Sequence, residues 1–193
     1  LPLLRIANGN ELPAAGQAMT AYALATALLS PLAMLATGGL QRKTALLVAV
    51  AIFLAGNTVC ALAPNLTVLI AGRMLMGVGA MFTPLAAGVA VSLVAPAVRG
   101  KALALVFMGI SLSYVVGVPL GAWLADAYHW RMPIWVIGAA LGVAWLAVLV
   151  FVPAQLQAPG ASFAGVGPLL ARKDVLAVLA TTLLYFVAIF IVF

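Results

Sequence analysis

Charge is what this chain has least of. Of its 193 residues, 3 are Asp or Glu and 9 are Lys or Arg, while 67% are hydrophobic. A soluble domain carries about 25% charged and 45–50% apolar residues. So few charges cannot cover a water-facing surface, which excludes the soluble globular class. Acid is scarcest: no carboxylate falls inside any complete apolar segment, so no general acid–base pair can be assembled there. There is one cysteine, Cys60, which excludes an internal disulfide framework or a cysteine-based metal site and reads as packing filler. There is one histidine, His129, in a short loop with Asp126 and Arg131, a group that reads as a solvated cap. Hydrolase and phosphate-binding signatures are missing. The expectation is therefore no enzyme, no metal and no cofactor. The net charge of +6 does not point to nucleic acid, because the cations are scattered at the ends of apolar segments. The chain opens Leu1-Pro2-Leu3-Leu4-Arg5 without a recognisable signal peptide and stops within the apolar run Leu183 to Phe193, so it reads as a fragment of a longer protein.

What is present is a series of apolar runs, each near the 20 or so residues that a spanning helix needs. Only helices or closed barrels satisfy the backbone in lipid, and these runs are too long for barrel strands. Spans are expected near 13–37, 44–63, 66–95, 102–124, 132–152 and 174–193, with residues 1–5 as the tail of a helix whose body is missing. The cations then sort to one side. Arg42 and Lys43 follow the first span, Arg99 and Lys101 the third, and Arg172 and Lys173 precede the sixth. The positive-inside rule makes those connections cytoplasmic and sends the first complete helix from outside to inside. Residues 1–152 thus read as an N-terminal bundle, 153–173 as a cytoplasmic, turn-rich linker with Phe163 and Leu169-Leu170 against the membrane surface, and 174–193 as the first helix of a second bundle. A faint echo relates Pro31-Leu32-Ala33-Met34-Leu35-Ala36 to Pro119-Leu120-Gly121-Ala122-Trp123-Leu124-Ala125, in spans of opposite direction, as inverted repeats do.

One charge is out of place. Arg73 is the only charged residue between Lys43 and Arg99, and it lies inside an apolar run. An arginine near the bilayer centre costs roughly 2.5–3.5 kcal/mol on insertion scales, so something must offset it. The alternative is an arginine reaching to the nearer interface along its aliphatic stem. Around it, Gly72-Arg73-Met74-Leu75-Met76-Gly77-Val78-Gly79 removes side-chain bulk, so that a neighbouring helix or a substrate can approach the backbone. Farther on, Gly117-Val118-Pro119-Leu120-Gly121 places proline in an apolar span, freeing a carbonyl and bending the helix, with Gly117 and Gly121 on one face for close packing. A hinge and a static kink both fit. Pro31 and Pro84 are similar but less framed by glycine. Gly38-Gly39-Leu40-Gln41-Arg42-Lys43 reads as a tight basic turn that anchors the cytoplasmic face.

Together these segments resemble the N-terminal half of a major facilitator superfamily transporter, most like the twelve-helix drug:proton antiporter and sugar-efflux branch, from the end of the first helix to part of the seventh. Leu69 through Ala80 is similar to the fourth-helix motif whose arginine is implicated in proton coupling. Gly109 through Gly121 is similar to the fifth-helix antiporter motif, Arg99-Gly100-Lys101-Ala102 to the basic turn before it, and His129-Trp130-Arg131 to the Trp-Arg pair before the sixth helix. One departure stands out. The family's loop after the second helix carries Asp-Arg-x-Gly-Arg-Lys, but Gly38 and Gly39 occupy the Asp and Arg positions, Gln41 replaces the glycine, and only Arg42 and Lys43 carry over.

The resemblance implies an all-α membrane protein, an N-terminal six-helix bundle lacking most of its first helix. It implies proton-coupled efflux of a small organic solute or drug by alternating access, from a multi-pass position in the bacterial inner membrane. Lipid, a small-molecule substrate and a C-terminal helix bundle are the implied partners. Arg73, Gly77 and Gly79 would serve transport and coupling; Gly117, Pro119 and Gly121 would shape the fifth helix; Arg42, Lys43, Arg99 and Lys101 would anchor cytoplasmic loops. Gln17, Tyr22 and Asn57 are candidate cavity lining. An importer of the same fold and a truncated, non-transporting membrane protein are the rival readings.

Overall fold

A computed structural model describes residues 11–154, 156 and 172–192, and every regular element among them is helical. In chain order these are α1 (Glu11–Ala36), α2 (Arg42–Leu62), α3 (Leu66–Gly79), α4 (Phe82–Ser92), α5 (Arg99–Leu112), α6 (Val118–Ala127), α7 (Met132–Phe151) and α8 (Lys173–Val192). A 3-10 turn, Pro96–Val98, leads into α5, and a π turn, Ser113–Gly117, joins α5 to α6. Among the described residues, five stretches are long and apolar enough to cross a membrane: Gly16–Ala36, Arg42–Leu62, Leu66–Ser92, Pro96–Ala127 and Met132–Phe151. They match the first five expected spans, with the fourth longer than expected at both ends. The expected tail at residues 1–5 and nearly all of the expected linker, including Phe163 and Leu169-Leu170, lie outside the described residues. The described residues up to 156 belong to one compact unit; the described part of the second is α8, with an exposed ion pair of 3.1 Å between Arg172 and Asp174 at its start.

The third span is not one helix, which corrects the single run expected over 66–95. It starts cleanly, because the Asn65 side chain accepts the Val68 N–H at 3.0 Å and caps α3. It breaks because Pro84 has no N–H to offer the Ala80 carbonyl four residues back. Ala80 and Met81 tighten to ψ −13° and −12°, the Ala80 N–H donates to the Gly77 carbonyl, and the Thr83 N–H donates to the Ala80 carbonyl at 3.3 Å. These are three-residue bonds of the 3-10 kind. The regular ladder resumes where the Leu85 N–H reaches the Met81 carbonyl.

α2 is the spine of the first unit, and its two ends pack by different means. Toward its C-terminal end it meets α3 through small residues. A Cβ added at Gly56 would lie 2.8 Å from the Gly72 carbonyl oxygen, and one added at Gly72 would lie 2.7 Å from the Cys60 Sγ. Cys60 is buried there, the packing role expected for it. Gly56 and Cys60, four apart on α2, and Gly72 on α3 let the two backbones approach closely, with Met76 packed over Gly56. Toward its N-terminal end α2 packs through bulk instead. Leu46 and Val50 bury against Val89 of α4, with Phe82 and Leu85 of α4 and Leu141, Trp145 and Val148 of α7 around them.

α7 is fastened to α2 along its whole length by donors that reach across to backbone carbonyls. Arg131 Nη2 donates to the Ala63 carbonyl at 2.7 Å, Asn57 Nδ2 to Ile134 at 2.9 Å, Trp145 Nε1 to Leu47 at 3.1 Å, and Lys43 Nζ to Leu149 at 2.7 Å. As the position on α7 rises the position on α2 falls, so the helices are antiparallel and their register is fixed at four points. Side-chain hydrogen bonds between helices in membranes contribute about 0.6 kcal/mol on average.

In the remaining span, Pro96–Ala127, no residue of the most apolar window is buried, as is also true of Met132–Phe151. Leu105, Tyr114, Val115 and Val118 are all well exposed. The Pro119 kink expected from the sequence takes a specific form: the Val118 N–H reaches back five residues to the Ser113 carbonyl, which makes the π turn. Pro31, its counterpart in the sequence echo, sits inside α1 without ending it.

Candidate functional site

The candidate site is built on α3. Arg73 is partly buried in the second turn of that helix, immediately after the buried Gly72. Among the described residues it makes no hydrogen bond and no ion pair. Its aliphatic stem can share the apolar surroundings, but its five N–H donors find no protein acceptor there. Every other arginine discussed for this bundle that is partly buried has one: Arg42 and Arg131 each bond a carbonyl of another helix or its cap. Arg73 is the exception.

The helix geometry says what lies beside it. Residues four apart share a face, so Arg73 stands one turn from Gly77 on the same side of α3. Gly77 meets α1: a Cβ added there would lie 2.6 Å from the Ala25 Cβ and 2.9 Å from the Tyr22 carbonyl oxygen. Gly79 meets α2, where an added Cβ would lie 2.6 Å from the Phe53 N. Of the two neighbours the sequence left open for these glycines, a helix or a substrate, a helix occupies both positions. Phe53 in turn meets the Phe82 ring edge-on, centroids 5.2 Å apart, across the break between α3 and α4.

The other expected site residues separate. Tyr22 lies in the stretch of α1 that faces Gly77, and its side chain is partly buried; Gln17 is exposed, off the Ala18, Tyr22 and Ala25 stripe. Asn57 is not cavity lining. It is 2% exposed, its amide donates to the Ile134 carbonyl, and Gly138 of α7 leaves the room its Nδ2 fills. A buried amide needs a partner, and here a helix supplies it.

The four basic residues expected in loops are all in helices: Arg42 and Lys43 open α2, and Arg99 and Lys101 open α5. Arg99 and Lys101 are exposed, as anchors would be. Arg42 and Lys43 are partly buried and do more. Arg42 Nη1 donates to the Gly88 carbonyl of α4 at 2.6 Å, while Lys43 Nζ bonds Leu149 in the last turn of α7. Cations at a helix N-terminus oppose its dipole. Lys43 offsets that by meeting the negative, C-terminal end of another helix.

Gly117 and Gly121 do not make the close helix packing expected of them within the described residues. The nearest atom to an added Cβ is the Ser113 Cβ at 3.7 Å for Gly117 and the Pro133 Cβ at 4.0 Å for Gly121, both ordinary contacts. Sequence reasoning placed Arg131 in a solvated cap. Its guanidinium instead stacks on Trp130, 4.5 Å from the ring centroid, and ties α7 to the end of α2. It also missed Trp145 and Gly56. The opposed positions of donors in two apolar runs were the available signal. No group of three or more His, Cys, Asp or Glu among the described residues could hold a metal ion.

Comparison with known proteins agrees with this architecture. The sequence model of the Major Facilitator Superfamily matches residues 1–193. The chain is 35% identical to the inner membrane transport protein YdhP of Escherichia coli over 193 residues, covering 95% of this chain and 48% of that protein. It is 33% identical to the chloramphenicol efflux pump Rv0191 of Mycobacterium tuberculosis over 175 residues, covering 86% and 42%. The MFS-type transporter YtbD of Bacillus subtilis is 31% identical over 160 residues, covering 81% and 40%. The chain spans about half the length of the curated relatives it matches.

Proposed function

The chain belongs to the Major Facilitator Superfamily, and on that premise we propose that it forms the N-terminal part of a proton-coupled exporter of a small organic solute. It is a multi-pass protein of the bacterial inner membrane, in contact with lipid. The observation that carries the proposal is Arg73: partly buried in a spanning helix, and without a hydrogen bond or ion pair among the described residues. A charge held in that state has a strong affinity for an acceptor that arrives or changes protonation during a transport cycle. In this reading a carboxylate or a substrate anion is that acceptor. Its arrival and departure couple the proton gradient to movement of the solute, with no cofactor. Tyr22, on the stretch of α1 that faces Gly77, is the side chain that would line a substrate cavity beside Arg73 in this reading. Gly117, Pro119 and Gly121 shape the exposed face of α5 and α6 for a second helix bundle, which supplies the other half of the cavity.

The relative named as a chloramphenicol efflux pump favours export of a small organic substrate. Transport in everted membrane vesicles tests this, with the chain expressed together with the coding sequence that adjoins it. Proton-driven accumulation of a lipophilic drug such as chloramphenicol, abolished by an uncoupler, is the expected outcome. Accumulation only in right-side-out vesicles would instead establish an importer. No gradient-dependent movement in either, from a correctly inserted protein, would reject the transport reading.

A further inference from the structure

We infer that the span Leu66–Ser92 opens as two separate units, and that the Arg42 side chain is the strap that holds the second of them, α4, against α2. Three independent observations meet here. The first is the broken ladder. Between α3 and α4 the backbone bonds run over three residues, from Ala80 to Gly77 and from Thr83 to Ala80, and Pro84 contributes none. An opening in one half is therefore not transmitted through a continuous helix.

The second is the change in packing at the same point. α3 is held by backbone-close contacts at Gly72, Gly77 and Gly79, against which α1 and α2 have no slack. α4 has one buried residue, Val89, set against the buried Leu46 and Val50 of α2, and the rest of that cluster is partly buried side chains such as Phe82, Leu85, Trp145 and Val148. Such contacts slide or part at lower cost than interlocked backbones.

The third is the strap. Arg42 Nη1 reaches the Gly88 carbonyl at 2.6 Å from the first residue of α2, and the Arg42 N–H donates to the Leu156 carbonyl at 3.1 Å. The neighbouring Lys43 holds α7 and not α4. The two adjacent cations therefore divide their work: one fixes the α2–α7 register and the other retains α4. The strap uses a backbone acceptor, so it needs no acidic side chain on α4.

Amide hydrogen exchange on the protein in lipid nanodiscs tests the inference, and its readout does not involve transport, so it stands or falls separately from the function proposed above. In Arg42→Met, which keeps the aliphatic stem and removes the donors, amides of 86–92 should exchange about tenfold faster. Amides of 66–79 should keep wild-type protection. Lys43→Met should leave 86–92 unchanged and loosen the end of α7. Pro84→Ala restores an N–H that the Ala80 carbonyl can accept, and should bring the protection of the two halves together. Unchanged protection of 86–92 in Arg42→Met, equal acceleration of 66–79, or an unaltered difference in Pro84→Ala would each overturn the inference.

Discussion

α3 and the α5–α6 span are both marked by glycine, and they use it in opposite ways. In α3, Gly72, Gly77 and Gly79 each press against another helix, so that a Cβ at any of them would fall within 3.0 Å of a neighbour. In the α5–α6 span a Cβ at Gly109 would meet nothing within 4 Å, and at Gly117 and Gly121 only ordinary contacts. Both regions are marked by glycine in an apolar run; what lies beside the glycines differs. Small residues record that something approaches closely, and the identity of what approaches is carried by other residues. In α3 those are Tyr22, Ala25 and Phe53. For α5 and α6 they are not among the described residues of the first unit.

The sharpest break of this comparison is one methyl group placed in each region. Gly77→Ala should destabilise the bundle by about 2–3 kcal/mol, because its Cβ meets the Tyr22 backbone and not only a flexible side-chain tip. Thermal unfolding in detergent reads this directly. Equal stability of Gly77→Ala and wild type would show that α1 and α3 are not interlocked.

Next in size is the α2–α7 fastening. Asn57→Ala removes a buried donor and should cost about 1.5 kcal/mol, near the upper end for such bonds in membranes. Gly138→Ala should mimic it, since its Cβ would lie 2.9 Å from the Asn57 Nδ2 and displace the amide. If Gly138→Ala were harmless while Asn57→Ala was not, the amide would have a second acceptor. Arg131→Lys should cost about 1 kcal/mol in the same assay, through loss of the planar stack on Trp130.

The smallest effect belongs to the open glycines. Gly109→Ala and Gly117→Ala should change stability by less than about 1 kcal/mol and in the favourable direction, as alanine is the better helix former. Transport sharpens the contrast. If a second bundle packs on this face, Gly117→Ala should impair transport without impairing stability, a separation that Gly77→Ala cannot show.

Much of the fold was legible because lipid leaves few options: run length is enough for five spans and their order. The rest depends on which residues meet, which one sequence does not record. Asn57 in an apolar run reads equally well as cavity lining or as a bond between helices, and the choice turned on Ile134 and Gly138, far along the chain. Arg42 and Lys43 already had a sufficient explanation as positive-inside anchors, so nothing demanded the bonds they make to Gly88 and Leu149. The break at Ala80 and Met81 was readable in principle from Pro84, but the apolar pattern continues through it and conceals it. Arg73 was legible throughout, because a charge in an apolar run is costly wherever the helices lie.

That residue carries the central claim. The direct measurement is the pH dependence of transport in everted vesicles for Arg73→Ala and Arg73→Lys, set against wild type at matched expression. Loss of proton-driven accumulation in Arg73→Ala, with partial activity and an altered pH profile in Arg73→Lys, is the predicted result. Wild-type rates and an unchanged pH profile in both would contradict it, and would make Arg73 a tolerated charge in the packing of α3.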